Sequence, residues 1–329
     1  MSCVNIRGCC IGEGRPKVIL PIVERTEAAI LEKAVQFSTL RADCVEWRVD
    51  LFDGAKDLGA IARCAAKLRV ALKDKLFLVT FRTKAEGGNV ELTHEEYLRF
   101  LHTVLDTDCA DLIDIEFFTA GADLPRLVEQ AHSAGVAVVC SSHDFAKTPP
   151  RAELVSRMVQ MQQAGADLPK LAVMPRCRTD VLELLAATAE MADLHPETPV
   201  VTMSMGALGA VSRLAGEAFG SAMTFANPGQ ASAPGQVSLD VVNAVLDALH
   251  CNQQIEIQGG SVMRTEKRSH RSRMDPIVAL VLIFAVLKVT GLISWSWLWV
   301  LSPIWITLLI FAAIFSFILV GGRIVKGKW

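Results

Sequence analysis

A single lysine inside an apolar run is the residue of this sequence with the clearest potential for chemistry. Lys170 lies in Leu-Pro-Lys-Leu-Ala-Val-Met at 168–174, which otherwise has the composition of a buried strand. Burial disfavours the charged ammonium form and increases the fraction of free amine, a nucleophile towards carbonyl carbons. A lysine that reaches water from a strand end, or pairs with a carboxylate, would fit the same run. The case for chemistry therefore depends on the neighbouring strands.

The first 250 residues alternate short β-rich runs with longer amphipathic runs. We predict strands at 17–23, 43–49, 75–82, 111–117, 136–142, 168–174, 199–205 and 222–226. Helices are predicted at 24–40, 56–72, 93–108, 124–134, 150–164, 180–191, 212–219 and 238–249. Eight β-then-α units of this length favour an α/β fold, a (β/α)8 TIM barrel, over an open doubly wound sheet. A leader at 4–11 is predicted to form a hairpin that closes the bottom of the barrel.

Polar residues recur where these predicted strands end, which is the face of a barrel that carries catalysis. Each one taken singly could be a buried ion pair or a cap. Because an unpaired buried charge costs several kcal/mol, their convergence predicts a site for a small anionic, hydroxylated substrate. The residues are Glu46, Arg48 and Asp50, then Arg82 and Glu86, Asp114 and Glu116, His143 and Asp144, Lys170, Arg213, and finally Ser232 and Gln236.

Several short motifs follow one another along the same region. They are Glu-Trp-Arg-Val-Asp at 46–50, Thr-Phe-Arg-Thr at 80–83, Glu-Gly-Gly at 86–88, Ser-His-Asp-Phe at 142–145, Pro-Lys at 169–170, Met-Ser-Met at 203–205, Ser-Arg-Leu-Ala-Gly at 212–216 and Ser-Ala-Pro-Gly-Gln at 232–236. With these motifs in this order, residues 1–250 resemble the type I 3-dehydroquinate dehydratases of the shikimate pathway, which serves aromatic amino acid biosynthesis.

The resemblance implies a lyase that needs neither a metal nor another cofactor. Lys170 would form a Schiff base with the C3 ketone of 3-dehydroquinate. His143 would remove a C2 proton and help to expel the C1 hydroxyl as water, a syn elimination that gives 3-dehydroshikimate, and Glu86 would orient His143. Substrate-binding roles are implied for Glu46, Arg48, Arg82, Arg213, Ser232 and Gln236.

One position departs from the family pattern. Pro21 stands where the family often carries a serine that touches the substrate. Proline offers no side-chain donor, so we expect weaker binding with the chemistry retained.

The charge of the chain is unevenly distributed. Residues 1–260 carry 24 Lys and Arg against 33 Asp and Glu, whereas residues 261–329 carry 9 against 2. The acidic balance of the first part argues against a nucleic-acid partner. Nine cysteines without metal-ligand spacing predict reduced thiols in a cytoplasmic enzyme. The family resemblance also suggests a homodimer.

The C-terminal part has the composition of a membrane segment. Between 276 and 322 the only charged residue is Lys288, a length that suits two spans, near 276–293 and 302–320. Basic residues flank both ends, which predicts that both ends and the catalytic domain are cytoplasmic and that a helical hairpin anchors the chain in the inner membrane. The predicted organisation is a catalytic domain at 1–251, a basic linker at 252–275, two transmembrane helices at 276–322 and a basic tail at 323–329.

The role of this C-terminal segment is open at the level of sequence. It resembles small two-span membrane proteins of phages, and either a functional anchor or a fusion of two reading frames would give this pattern. Three alternative functions also remain: another Schiff-base lyase or class I aldolase, a membrane-tethered barrel that binds a ligand without turnover, and a membrane hairpin that carries the biological role with the barrel as passenger.

Overall fold

The computed structural model describes residues 3–229 and 237–259, with side chains as far as 251, and three isolated positions, 288, 296 and 299. The chain divides into two compact units, Met1–Val262 and Met263–Trp329. The predicted spans at 276–293 and 302–320 and the predicted site residues Ser232 and Gln236 lie outside the described residues. Within the described part, no helix is both long and apolar enough to cross a membrane.

The unit formed by the first 262 residues is built around a curled parallel sheet. An antiparallel hairpin of β1 (Val4–Ile6) and β2 (Cys9–Ile11) comes first. The parallel strands are β3 (Lys17–Ile22), β4 (Cys44–Arg48), β5 (Leu76–Thr80), β6 (Leu112–Glu116), β7 (Ala137–Asp144), β8 (Leu168–Val173), β9 (Val201–Ser204), β10 (Met223–Asn227) and the short β11 (Val237–Ser238). Every one of the eight predicted strands is confirmed.

The order of the strands makes this sheet an α/β barrel. Strands β3 to β9 pair in chain order, and β10 pairs with β3 on one side and β11 on the other. β9 and β10 meet through a bridge between Val200 and Ser221, where the amide of Ala222 donates to the carbonyl of Val200 at 2.8 Å. A barrel-like α/β architecture is therefore confirmed, and it brings the carboxyl ends of the strands to one face.

Helices connect the strands. They are α1 (Glu27–Ser38), α2 (Leu58–Leu72), α3 (His94–Leu105), α4 (Phe117–Ala120), α5 (Leu124–Ser133), α6 (Arg151–Gln163), α7 (Arg178–Leu194), α8 (Ala210–Leu214), α9 (Gly216–Phe219) and α10 (Leu239–Gly259). Side-chain caps fix several starts: Thr26 accepts from the amide of Ala29, and Thr93 and Glu96 form a capping box on α3. The helix predicted at 212–219 is instead two short helices, α8 and α9.

The leader hairpin covers the amino-terminal ends of the strands, as predicted. Ile11 is fully buried in a cluster with Cys44 and Leu76, which begin β4 and β5, and Val4 and Ile6 pack against the same cluster. The hairpin also corrects the prediction that the nine cysteines are reduced thiols. Cys3 and Cys10 form a disulfide with their Cα atoms 5.7 Å apart, within the usual range for such bonds. The cysteines that remain free thiols are Cys9, Cys44, Cys64, Cys109, Cys140, Cys177 and Cys251.

One hydrogen-bond pattern recurs at this lower end of the barrel. An aspartate immediately before each of β4, β6 and β8 accepts, through a carboxylate oxygen, the amide N–H of the strand that precedes it. The pairs are Asp43 with Val18 at 2.7 Å, Asp111 with Phe77 at 2.8 Å and Asp167 with Val138 at 2.7 Å. Before β10, the hydroxyl of Ser221 accepts from the amide of Thr202 at 3.0 Å in the same way. These contacts, which we call the lower stitches, fix the register of successive strand pairs.

Candidate active site

Lys170 lies on β8 inside the barrel and is 3% exposed. Its Nζ donates to Asp114 Oδ2 at 3.0 Å, lies 3.8 Å from Glu46 Oε1 and sits 4.9 Å from the centre of the Phe225 ring. Glu46, Asp114 and Phe225 come from β4, β6 and β10. Because alternate strands of a barrel contribute side chains to one layer, these four residues form a base layer.

The lower stitches explain why this layer forms. Glu46, Asp114 and Lys170 each follow their stitch aspartate by three residues, and Phe225 follows Ala222 by three. Equal offsets from equivalent points on alternate strands place the four side chains at one height. The local folding of each strand pair therefore determines which groups face the amine.

Arg82 lies next to this layer, 4% exposed, among carboxylates. Its guanidinium donates to Glu116 at 2.8 Å, to Asp114 at 2.9 Å and to the hydroxyl of Ser141 at 3.0 Å, and lies 3.4 Å from Glu86. Burial opposes the charge, but these carboxylates together raise the pKa of Arg82. The arginine predicted to bind substrate thus also organises the acidic groups of the site.

His143 and Glu86 form a buried pair. Glu86 Oε2 lies 2.8 Å from His143 Nδ1 and accepts the backbone N–H of His143 at 3.0 Å. Burial raises the pKa of Glu86 to about 8, against the opposing charge of Arg82. Burial, followed by the positive charges of Arg82 and Lys170, holds the pKa of His143 well below its usual value. The imidazole is therefore neutral near pH 7 and able to accept a proton.

The loop that carries Glu86 requires glycine. Gly87 has a φ of +85°, and a Cβ there would lie 2.3 Å from the ring of Phe145. A Cβ on Gly88 would lie 1.8 Å from the carbonyl oxygen of Arg82. The ring of Phe145 in turn stacks on His143, with centroids 6.4 Å apart and planes inclined by 17°. The close packing of Phe145 on both Gly87 and His143 brings the two halves of the pair together.

Two further arginines differ sharply in their partners. Arg48 forms a two-pronged ion pair with Asp50, with N–O distances of 2.8 and 2.9 Å. Arg213 is 4% exposed, and its guanidinium lies 3.7 Å from the sulfur of Met203. Its Nε has no hydrogen-bond partner among the described residues. Burial lowers the pKa of Arg213 to about 10, so a buried cationic fork is available for an anion.

Local hydrogen bonds position Arg213. Its carbonyl oxygen accepts from the hydroxyl of Thr224 on β10 at 2.8 Å, and the neighbouring hydroxyl of Ser212 accepts the amide of Ser204 on β9 at 2.9 Å. The short helix α8 is therefore attached to both β9 and β10. Pro21 is buried and pairs in register with Glu46, which places it beside the base layer without a donor.

The described residues offer little for a metal at this site. The carboxylates beside Lys170 already accept hydrogen bonds from Arg82, Thr80 and Lys170. In the described part of the chain, the one group of potential ligand atoms close enough to share an ion is Cys3, Cys10 and Glu13 at the opposite end, and the sulfurs of this group are joined in the disulfide.

The structure brings together Glu46, Arg82, Glu86, His143 and Lys170 as a contiguous polar cluster. The contributions of Ser141, Phe145 and Phe225 were missed, and Asp114 was noted only as a polar residue at a strand end. The sequence signal for Asp114 and Phe225 is that each is the third residue of an even-numbered strand, β6 or β10.

Comparisons with known proteins identify the family of the chain. A family model for Type I 3-dehydroquinase matches residues 18–253. The 3-dehydroquinate dehydratase of Bacillus subtilis is 48% identical over 252 residues, 77% of this chain and 99% of that protein. That of Listeria monocytogenes serotype 4a is 45% identical over 250 residues, 76% of this chain and 99% of that protein.

Solved structures give the same result. The type I 3-dehydroquinate dehydratase of Clostridium difficile, with covalently modified comenic acid, matches with a TM-score of 0.74 and 41% identity, over 76% of this chain and 99% of that one. The enzyme of Enterococcus faecalis matches with a TM-score of 0.70 and 40% identity, over 74% and 98% of the two chains. With a family model over well more than half of its length and relatives of this identity, the chain belongs to the type I 3-dehydroquinase family.

Proposed function

We propose that the barrel removes water from 3-dehydroquinate to give 3-dehydroshikimate, and that it does so through an imine on Lys170. The relatives named above are 3-dehydroquinate dehydratases, carbon–oxygen lyases, which supports the reaction. The observation that carries the mechanism is the buried amine of Lys170 beside a neutral His143. A nucleophile and a proton acceptor thus share one enclosed cluster.

Substrate binding begins with charge. The carboxylate of 3-dehydroquinate pairs with Arg213, whose buried guanidinium is a planar fork suited to two parallel hydrogen bonds and whose Nε has no partner within the part of the chain that the structure describes. Glu46, Arg48 and Arg82 bind the hydroxyls from the opposite strands, and Ser232 and Gln236 complete the binding set. Pro21 leaves one polar contact unmade, so the affinity is lower than with a serine at that position.

Imine formation follows from the position of Lys170. The neutral amine attacks C3 of the ketone, a C–N bond forms, and the carbonyl oxygen leaves as water after gaining protons. The resulting iminium withdraws electrons from C2 and acidifies its protons. Imine formation is therefore the step that makes the elimination accessible at neutral pH.

Elimination then requires a base that returns its proton. His143 accepts a proton from C2, the electron pair moves towards the iminium nitrogen, and the C1 hydroxyl leaves as water with the proton that His143 returns. Glu86 holds Nδ1 at 2.8 Å and so directs Nε2 towards the substrate. Water then attacks the imine carbon, which releases the product and restores the amine of Lys170.

The test combines turnover with chemical trapping. The full chain is assayed for the ultraviolet absorbance of the conjugated product, then treated with borohydride in the presence of 3-dehydroquinate and analysed by mass spectrometry. A reduced adduct on Lys170, absent from Lys170→Ala, is the expected result. Turnover without an adduct would overturn the imine mechanism. An adduct without turnover would favour a ligand-binding barrel, and turnover of other ketones instead would favour an aldolase.

For the C-terminal part, we propose that residues 276–322 anchor the chain in the inner membrane with the barrel on the cytoplasmic side. The support is the nearly uncharged sequence of that segment and its basic flanks. Membrane fractionation of the full chain and of a variant that ends at 273 tests it, and equal recovery of both in the soluble fraction would refute it. Light scattering of the same two proteins tests the proposed homodimer.

A further inference from the structure

Asp114 is the most completely buried charged group next to the candidate nucleophile. It is 0% exposed and accepts hydrogen bonds from three donors on three different strands or loops. Oδ1 accepts from Arg82 at 2.9 Å and from Ser141 at 2.6 Å, and Oδ2 accepts from Lys170 at 3.0 Å. A carboxylate with this number of donors is strongly held in its ionised form.

Several charged groups face Lys170, but they do so at different distances. Glu46 on β4 lies 3.8 Å away, and its Oε1 already accepts the hydroxyl of Thr80 at 2.8 Å. His143 on β7 is neutral, and Arg82 stands behind Asp114. Asp114 on β6 is therefore the direct ionic partner of the amine.

We propose that Asp114 is the counter-ion of Lys170 and that it sets the pH at which the amine becomes nucleophilic. The inference rests on the proposed imine mechanism and assigns Asp114 as a positioning residue, which acts through Lys170 and not on the substrate. Asp114 favours every state in which the lysine nitrogen is cationic, namely the resting ammonium and the iminium. It disfavours the neutral amine, the neutral carbinolamine and the neutral enamine.

Asp114 has opposite effects on two steps of the reaction, because the charge on the lysine nitrogen is lost in the first step and regained in the second. The ammonium must lose one proton before its lone pair attacks C3, and Asp114 opposes that loss. When the carbinolamine expels water, the positive charge returns to the nitrogen, and Asp114 then stabilises the product of that step. The pairing thus delays attack at low pH and supports the electron-withdrawing iminium once it has formed. The ionised state of Asp114, with its pKa lowered by Arg82 and Lys170 against the effect of burial, is consistent with both roles.

The deciding variant is Asp114→Asn, which keeps the shape and a hydrogen-bond acceptor but removes the charge. The readout is the pH dependence of the rate of borohydride trapping by the full chain with 3-dehydroquinate. Loss of an opposite charge at this distance is expected to move the midpoint of trapping to lower pH by about one to three units. An unchanged midpoint would overturn the proposal.

Glu116→Gln is the matched control. Glu116 is also 0% exposed and also accepts from Arg82, at 2.8 Å, so its replacement removes a similar buried charge from the same arginine. Its hydrogen bonds go to Arg82, Thr83 and Thr119. The counter-ion role predicts a midpoint shift for Asp114→Asn that is clearly larger than for Glu116→Gln. Equal shifts would show a general field effect and refute a specific partner.

Two outcomes separate this inference from the function on which it rests. If the wild-type chain gives no adduct on Lys170, the imine mechanism itself fails. If the wild-type chain gives the adduct but the Asp114→Asn midpoint does not move, only the counter-ion role fails. Should Asp114→Asn not fold, NMR of wild-type protein labelled at lysine Nζ replaces it. A through-hydrogen-bond coupling from Lys170 Nζ to the Asp114 carboxylate carbon is then expected, and its absence while the amine is charged would contradict the role.

Discussion

Arg213→Met is expected to increase the stability of the folded protein and to lower kcat/KM. The folded chain holds the Arg213 guanidinium at 4% exposure, and burial lowers its pKa from 12.5 to about 10. At every pH below about 10 the charged form is therefore disfavoured in the folded state by roughly 3 kcal/mol relative to the unfolded chain. Methionine has a similar length and no charge, so the variant should recover much of that free energy.

The same substitution is expected to weaken substrate binding. Each charge-assisted hydrogen bond contributes about 1.5–3 kcal/mol, so loss of a two-pronged contact with the substrate carboxylate should raise KM by about a hundredfold or more. Equilibrium urea unfolding measures the first effect and steady-state kinetics the second. We expect the free energy of unfolding to rise and kcat/KM to fall, which is the relation expected when a functional site is electrostatically strained.

A second arginine provides the control for this reasoning. Arg48→Met also removes a site arginine, but it leaves Asp50, whose side chain is 0% exposed, without its ionic partner. Breaking a buried pair in this way costs about 3–5 kcal/mol, so this variant should be less stable than the wild type. If Arg213→Met proves as destabilising as Arg48→Met, the argument from desolvation is refuted.

Three other variants test separate features. Because the pKa of Glu86 is raised to about 8, wild-type kcat/KM should change near that pH as the carboxyl ionises, and a Glu86→Gln profile that kept the same inflection would contradict the assignment. Gly87→Ala should lower the thermal midpoint more than Gly121→Ala, since both have positive φ but only the first Cβ meets a ring, at 2.3 Å; equal losses would leave backbone strain as the whole effect. Asp111→Ala removes the acceptor for the amide of Phe77, which should cost about 1–3 kcal/mol in urea unfolding and lower kcat, because this stitch fixes the height of Asp114; an unchanged kcat would show that the lower stitches do not position the base layer.

Much of the barrel follows from hydrophobic periodicity alone. The strand predicted at 17–23 is observed as Lys17–Ile22, and the strand predicted at 168–174 as Leu168–Val173. The boundaries were less accurate where polar residues continue the extended backbone. β7 runs on to Asp144, two residues past its predicted end, because its last residues still pair with β8. Pairing between strands, which a single-strand pattern does not contain, decides such ends.

The break between α8 and α9 has a local cause that periodicity does not report. Ala215 has φ −96° and ψ 16°, outside the helical range, and the amides of Gly220 and Ser221 both bond to the carbonyl of Gly216. The second short helix therefore starts afresh at Gly216. The apolar pattern runs through both helices and predicts one.

The residues of the polar cluster were predictable from the sequence, but the ionic partner of Lys170 was not. The polar residues at strand ends gave Glu46, Arg82, Glu86, His143 and Lys170, and all five lie within one network. The ionic partner of Lys170 was not identified, since choosing between two acidic strands needs the relative height of each strand. That height is set by hydrogen bonds at the far end of the barrel.

The lower stitches have a consequence for how this barrel can be described. They divide the sheet into four consecutive two-strand modules, three joined by an aspartate and the fourth by Ser221. In each module, the third residue of the second strand faces the base layer. At that one position the four modules carry glutamate, aspartate, lysine and phenylalanine. The four modules thus share an inward position and differ in the side chain that each places there. At this position, the counterparts of Lys170 supply one near charge, one farther charge and one aromatic face around its amine.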